Sequence, residues 1–117
     1  MPREIPDLVL SIMAEKFRML SEPTRLIILR ALMVSGELSV TQIVEQAGST
    51  QANVSKHLKQ LAEAGLVARR KEGLNSLYRL DDPIVQRICH LVCDTILNEL
   101  EEQAKRNRKL VRMNKKG

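Results

Sequence analysis

The sequence predicts a mainly α-helical domain completed by one small β-hairpin, with its elements in the order α-α-α-α-β-β-α. Three observations carry that expectation. The 117-residue chain is 44% hydrophobic but only 2% aromatic, so its core must be built from Leu, Val, Ile, Ala and Met, a composition suited to packed helices. Apolar residues recur at helical spacing on both sides of a central segment. That segment, LVARRKEGLNSLYRL, instead reads as two short strands joined by a turn around Glu72, Gly73, Leu74 and Asn75.

The first helix follows from Ile5, Leu8, Ile12, Met13, Phe17 and Leu20, which form one stripe over residues 5–20. Ser21-Glu22-Pro23-Thr24 then supplies a capping residue and a first-turn proline, opening a second helix over about 22–35 that is expected to bury Leu26, Ile27, Leu29, Leu32 and Met33. Gly36 ends it. A short third helix, TQIVEQA, opens at Ser39 or Val40 and stops at Gly48. Thr50 caps the fourth helix, in which Val54, Leu58 and Leu61 share a core face and Ala52, Asn53, Lys56, Lys59, Gln60 and Glu63 lie opposite. His57 falls at the edge of the buried face and reads as a packing residue. Gly65 ends this helix. After the hairpin, in which Tyr78 is expected to anchor the strands to the core, a long last helix runs from about 84 into the 100s.

One domain is expected over 1–104, with a disordered basic tail over 105–117. Residues 103–117 carry Lys105, Arg106, Arg108, Lys109, Arg112, Lys115 and Lys116 and no acid, or +7, while the remainder has 12 bases against 14 acids, or −2. The overall charge of +5 therefore resides in the tail. No run approaches the ~20 apolar residues of a membrane helix, and MPREIPDLVL lacks the layout of a signal peptide. A cytoplasmic protein without membrane contact is expected, with its two cysteines, Cys89 and Cys93, kept as thiols. A chain this small also completes its core readily by dimerising.

Two short helices joined by a tight glycine-containing turn, with a basic hairpin directly after, form a winged helix-turn-helix. Its second helix has the chemistry to read duplex DNA. Gln51 and Asn53 can pair with adenine edges, Lys56 and Lys59 can reach guanine or phosphate, Ser55 can bond to phosphate, and Thr50 brings helix N-terminal amides toward the backbone. Arg69, Arg70, Lys71 and Asn75 extend the candidate surface onto the wing. Residues 50–79 carry Lys56, Lys59, Arg69, Arg70, Lys71 and Arg79 against Glu63 and Glu72, or +4. With Phe17 and Tyr78 the only aromatics, there is no stacking platform for single strands.

The run FRMLSEPTRLIILRALMVSGELSVTQIVEQAGSTQANVSKHLKQLAEAGLVARRKEGLNSLYRL resembles the ArsR/SmtB family of bacterial repressors. Ser21 to Arg25, Val54-Ser55-Lys56-His57-Leu58 and Gly65-Leu66-Val67 are the most specific parts of the likeness. The resemblance implies a homodimer joined through its first and last helices, binding a palindromic operator and released by an inducer, commonly a metal or metalloid. Leu8, Ile12, Val85, Val92, Ile96 and Leu100 are the expected interface residues.

Several inducer sites known in that family do not carry over. Ser39 and Thr41 stand where arsenic-responsive members have thiols, the last helix has His90 as its only histidine, and residues 22–35 contain no cysteine. What remains is Cys89 and Cys93, one turn apart on the stripe of Val85, Val92, Ile96 and Leu100. His90, Arg87, Asp94 and Glu101 fall on the opposite side. A thiol pair suits soft ions, making As(III), Sb(III) or another soft metal the candidate inducer, with a third thiolate drawn from the partner subunit. A thiol-redox or reactive-sulfur switch is the alternative sensor, and simple interface packing the third reading of the pair. No cofactor is required. Nothing resembles an enzyme motif, and a winged-helix protein-interaction module is the rival from another class.

Overall fold

The computed structural model describes residues 4–116, so residues 1–3 of the expected domain and 117 of the expected tail lie outside the described residues. Its elements are α1 (Asp7–Met19), α2 (Pro23–Ser35), β1 (Glu37–Ser39), α3 (Val40–Ala47), α4 (Gln51–Glu63), β2 (Val67–Glu72), β3 (Asn75–Leu80) and α5 (Pro83–Lys116). The chain divides into two units, Met1–Pro83 and Ile84–Gly117.

In the first unit the core is made by Ile28, Leu29 and Leu32 of α2, Leu38 of β1, Ile43 of α3, Val54, Leu58 and Leu61 of α4, and Leu66 and Val67 at the entry to the wing. Tyr78, also buried, roots β3 in it. Burying a branched aliphatic side chain contributes about 1.5–3 kcal/mol, so these positions dominate the unit's stability. The expected phase of α2 is corrected. Leu26 is 42% exposed, whereas Ile28 and Ala31 are buried. The run Leu26-Ile27-Ile28-Leu29 is apolar at every position, so periodicity does not select its inner face.

The sheet has three strands in the order β1-β3-β2, all antiparallel. Two strands were expected. β1 escapes sequence reading because three residues give no usable alternation, and its pairing with β3 sets Leu38 opposite Tyr78, more than thirty positions away. Glu72 pairs with Asn75, leaving Gly73 and Leu74 as a two-residue turn. Gly73 has φ +61, the positive value that a II′ hairpin needs at its first central residue.

The second unit is formed by α5 from Ile84 onward, a helix of 34 residues in all and about 51 Å long at 1.5 Å per residue. It continues through residues 105–116, which were expected to be disordered. From Ile84 to Lys116 there is neither Gly nor Pro, and Lys, Arg, Gln, Leu and Met are strong helix formers. No helix among the described residues is long and apolar enough to cross a membrane.

Candidate nucleic-acid interface

The reading helix is placed by the turn before it. Ser39 caps α3 in a reciprocal box, its hydroxyl accepting from the Gln42 amide at 3.2 Å while the Gln42 side chain accepts from the Ser39 amide at 2.9 Å. The helix ends at Gly48, whose φ of +65 is left-handed and whose amide donates to the Val44 carbonyl at 3.1 Å. This conformation lets the chain turn from α3 into α4 within three residues. Thr50 then caps α4, its hydroxyl accepting from the Asn53 amide at 3.1 Å. The far end of α4 closes as a Schellman motif, with Leu66 N–H donating to Leu61 O at 2.9 Å and Gly65 N–H to Ala62 O at 3.0 Å.

Between these caps α4 has two distinct faces. Val54, His57, Leu58 and Leu61 are buried. Gln51, Ala52, Ser55, Lys56 and Lys59 are exposed, and among the described residues neither lysine has a hydrogen-bond or ion-pair partner. Asn53 is only half-exposed, and its amide donates to the Ser49 hydroxyl at 2.8 Å. It braces the turn, and that bond would have to open before Asn53 met a base.

The wing's cations are divided by strand register. Arg69 lies opposite Tyr78 and Lys71 opposite Ser76, so both share the sheet face of buried Val67 and Tyr78. Arg69 donates to the Ser76 hydroxyl at 2.8 and 3.0 Å. Lys71 and Asn75 are exposed. Arg70 is on the other face, where its guanidinium forks onto Glu37 at 2.7 and 2.9 Å and reaches Glu72 at 3.1 Å. The Arg70 bond, opposed by burial, holds the Glu37 carboxyl below its ordinary pKa and raises that of Arg70. Arg70 is thus neutralised, unlike Lys56, Lys59 and Lys71.

Behind the reading face lies a network that sequence reasoning missed. Arg25 of α2 donates through Nε to His57 Nδ1 at 3.1 Å and through its terminal nitrogens to Gln60 Oε1 and Met19 Sδ, the last at 3.6 Å. Glu22 Oε2 accepts from the Arg25 amide at 3.1 Å and lies 3.5 Å from His57 Nε2. Burial pushes the Glu22 carboxyl up, but amide hydrogen bonds from Arg25 and Thr24, together with His57, outweigh it and leave the pKa lowered. With Nδ1 accepting, the His57 proton sits on Nε2, toward Glu22. His57 is only 7% exposed, so it is a buried polar anchor holding α4 to α2. Arg25 lies 32 positions from His57 and 35 from Gln60 in sequence, and no local spacing signals these partners.

Away from this face, apolar side chains stand uncovered. Leu8, Ile12 and Phe17 of α1 and Val92, Ile96 and Leu100 of α5 are exposed. Val85, grouped with them from the helical wheel, is 1% exposed and already buried in the single chain. Cys89 is half-buried and Cys93 exposed. Burial, and secondarily the neighbouring Cys93, raises the Cys89 thiol above its ordinary pKa. Among the described residues no three His, Cys, Asp or Glu side chains gather as a metal-holding group.

Comparison with known proteins agrees with this geometry. Residues 22–69 match the family described as bacterial regulatory protein, arsR family. The chain is 37% identical over 97 residues to the HTH-type transcriptional regulator KmtR of Mycobacterium tuberculosis, covering 83% of this chain and 72% of that one. The crystal structure of AntR, an antimony-specific transcriptional repressor, superposes with a TM-score of 0.79 at 30% identity, covering 86% of this chain and 90% of that one. The solution structure of the homodimeric winged helix-turn-helix DNA-binding domain of Mb0332 from Mycobacterium bovis gives 0.75 at 30% identity, covering 86% and 93%. A capped α3–α4 pair, a reading face of free cations, a basic wing and these likenesses together establish that the chain belongs to the ArsR/SmtB family of winged helix-turn-helix, DNA-binding transcriptional repressors.

Proposed function

We propose that the protein is a cytoplasmic homodimeric repressor that seats α4 of each protomer in the major groove of a palindromic operator and leaves it when a trivalent metalloid binds Cys89 and Cys93. The observation that carries the DNA-binding half is the two-sided α4, with Lys56 and Lys59 exposed and unpaired over a fully buried inner face. Gln51 and Ser55 flank these lysines for base and phosphate contacts, Asn53 can join them once released from Ser49, and Arg69, Lys71 and Asn75 supply the wing's contact. Arg70 would join only after leaving Glu37. The uncovered apolar residues of α1 and α5, Leu8, Ile12, Val92, Ile96 and Leu100 among them, are those that a second copy would cover. Two-fold symmetry would then match the operator's palindrome.

The inducer half rests on Cys89 and Cys93 standing one helical turn apart, with Cβ atoms ~5–6 Å from each other. A trivalent arsenic or antimony centre prefers three thiolates. One protomer offers two, so the pair fits the group only if the partner subunit supplies the third. Arsenous acid condenses with three thiols to give one arsenic trithiolate and three waters, its own hydroxides taking up the protons. A raised Cys89 thiol can therefore still react. The same raised thiol is a poor start for peroxide oxidation, which needs the thiolate.

The test is operator release by purified protein, with the duplex obtained by selection from a random pool. Arsenite or antimonite should release wild type, whereas Cys89→Ser and Cys93→Ser should stay bound. Equal release of wild type and both variants would remove the pair from the mechanism, and release by persulfide or peroxide alone would replace the metalloid with a thiol-oxidation switch.

A further inference from the structure

The C-terminal third of α5 is a segment that the family's DNA-reading mechanism leaves unused. Lys105, Arg106, Arg108, Lys109 and Arg112 are all helical and exposed. At 100° per residue they fall within an arc of roughly 160°. Leu110 and Val111 lie outside that arc. Lys105 pairs with Glu102 at 3.5 Å, and no acid follows Glu102 in the chain.

Ordinary helix energetics does not account for this arrangement. Cations stabilise a helix C-terminus, but the effect fades beyond the last turn, which Lys115 and Lys116 already occupy. Lys105 keeps its pair with Glu102 and Arg106 has the same acid one turn back, but otherwise the upstream cations meet one another. Lys105 with Arg108 and Lys109, Arg106 with Lys109, and Arg112 with Arg108 and Lys109 are all spaced i,i+3 or i,i+4, where like charges destabilise a helix. A polyanion laid along the arc would relieve every one of these repulsions.

The chemistry selects duplex DNA as that polyanion. The chain already binds DNA as a member of its family, yet residues 1–102 carry −2 overall, so they offer little long-range attraction to a phosphate backbone. A bilayer fits less well. The stripe bearing Leu110 and Val111 also holds Gln103 and Asn107, which places an amide in every turn of the face that would enter lipid. We propose that the cationic face of residues 105–112 is a second, sequence-independent phosphate-binding site. It adds affinity to any duplex, while α4 distinguishes the operator.

The test uses the full-length protein and a random-sequence duplex of about three helical turns, with affinity measured by fluorescence anisotropy between about 50 and 200 mM salt. The variant carries K105Q, R106Q, R108Q, K109Q and R112Q, with Gln keeping helix propensity. A control carrying K105R and K109R preserves the charge. The slope of log affinity against log salt should fall in magnitude by about two or more, and low-salt affinity by about tenfold or more. The charge-preserving control should match wild type, and the fivefold variant should keep the helical circular dichroism of wild type. An unchanged slope overturns the proposal, as does an equal loss in the charge-preserving control. Binding of wild type to phosphatidylserine vesicles with an unchanged DNA slope overturns it in favour of a membrane surface. Should the fivefold variant fail to fold, K105Q/R106Q and R108Q/K109Q/R112Q, measured separately, must divide the slope change between them.

Discussion

Arg25→Met removes the donor that satisfies His57 Nδ1 while filling much of the same space. A hydrogen bond to a charged group contributes about 1.5–3 kcal/mol, and a buried acceptor left unpaired adds its desolvation penalty. His57 is 7% exposed and cannot turn to water. Gln60 is half-exposed and can, so its share is small. The half-exposed Arg25 also regains some solvation on unfolding, which discounts the upper end. The expected loss is about 2 kcal/mol, equivalent to a fall in Tm of roughly 8–16 °C for a unit of this size. Urea unfolding at one fixed protomer concentration measures it, because the apparent stability of a homodimer, as proposed, depends on concentration.

The decisive comparison is the double-mutant cycle with His57→Leu. If the 3.1 Å contact is an energetic anchor, Arg25→Met/His57→Leu should be more stable than the sum of the single losses by about 1–2 kcal/mol, because both polar partners leave together. Arg25→Lys should fall between wild type and Arg25→Met, since an ammonium lacks the fork that serves His57 and Gln60 at once. Additive singles, or an Arg25→Met loss under about 0.5 kcal/mol, would show that α4 is held by apolar packing alone.

Three further outcomes follow from the same geometry. Lys56→Ala/Lys59→Ala should flatten the salt dependence of operator binding by up to about 3.6 in log–log slope for a dimer, at about 0.9 for each phosphate no longer neutralised, and should reduce preference for the operator over random duplex; an unchanged slope would place the reading face elsewhere. The Glu37 pKa is depressed in the folded chain, so its ion pair with Arg70 stabilises above the ordinary carboxylate pKa and that contribution is lost as pH falls through the folded value. Glu37→Gln should therefore weaken the acid dependence of Tm as pH falls below the ordinary carboxylate range and, by leaving Arg70 with Glu72 as its remaining carboxylate partner, tighten low-salt binding to random duplex. Gly48→Ala should destabilise by about 1–2 kcal/mol from its left-handed φ alone, because no atom lies within 4 Å of the added Cβ; a smaller loss in thermal unfolding would show that the turn can relax.

Local chemistry made much of the fold readable. Thr50 and Ser39 cap their helices through bonds that span three residues, and Gly48 and Gly65 end helices through bonds that span three to five. Signals of this range lie within one reading window. Where apolar residues filled every position, as from Leu26 to Leu29, period gave no sharp phase, so Leu29 and Leu32 were placed in the core but Leu26 was turned inward in place of Ile28. The strand β1 and the ion pair between Arg70 and Glu37 depend on residues 33 or more positions apart, so they exist only once the chain has folded. The same holds for Arg25 and His57. Composition misled at the C-terminus, where a run of like charge suggested disorder although every residue of 105–112 except Asn107 and Val111 is a good helix former.

The cations that sequence reading pooled as one basic surface separate by partner. Lys56 and Lys59 stand free on a rigid helix whose other face is buried, the geometry needed for base readout. Arg70 is held by two carboxylates, whose negative charge offsets its own beside a phosphate. Arg69 is steered by Ser76 but keeps its charge, leaving it with Lys71 as the electropositive pair on the face of Val67 and Tyr78, while Arg79 stands opposite Glu37. A count of +4 over residues 50–79 therefore overstates what the wing contributes and understates α4. Specificity should accordingly fail first in α4 variants, whereas wing and tail variants should weaken operator and random duplex by similar factors.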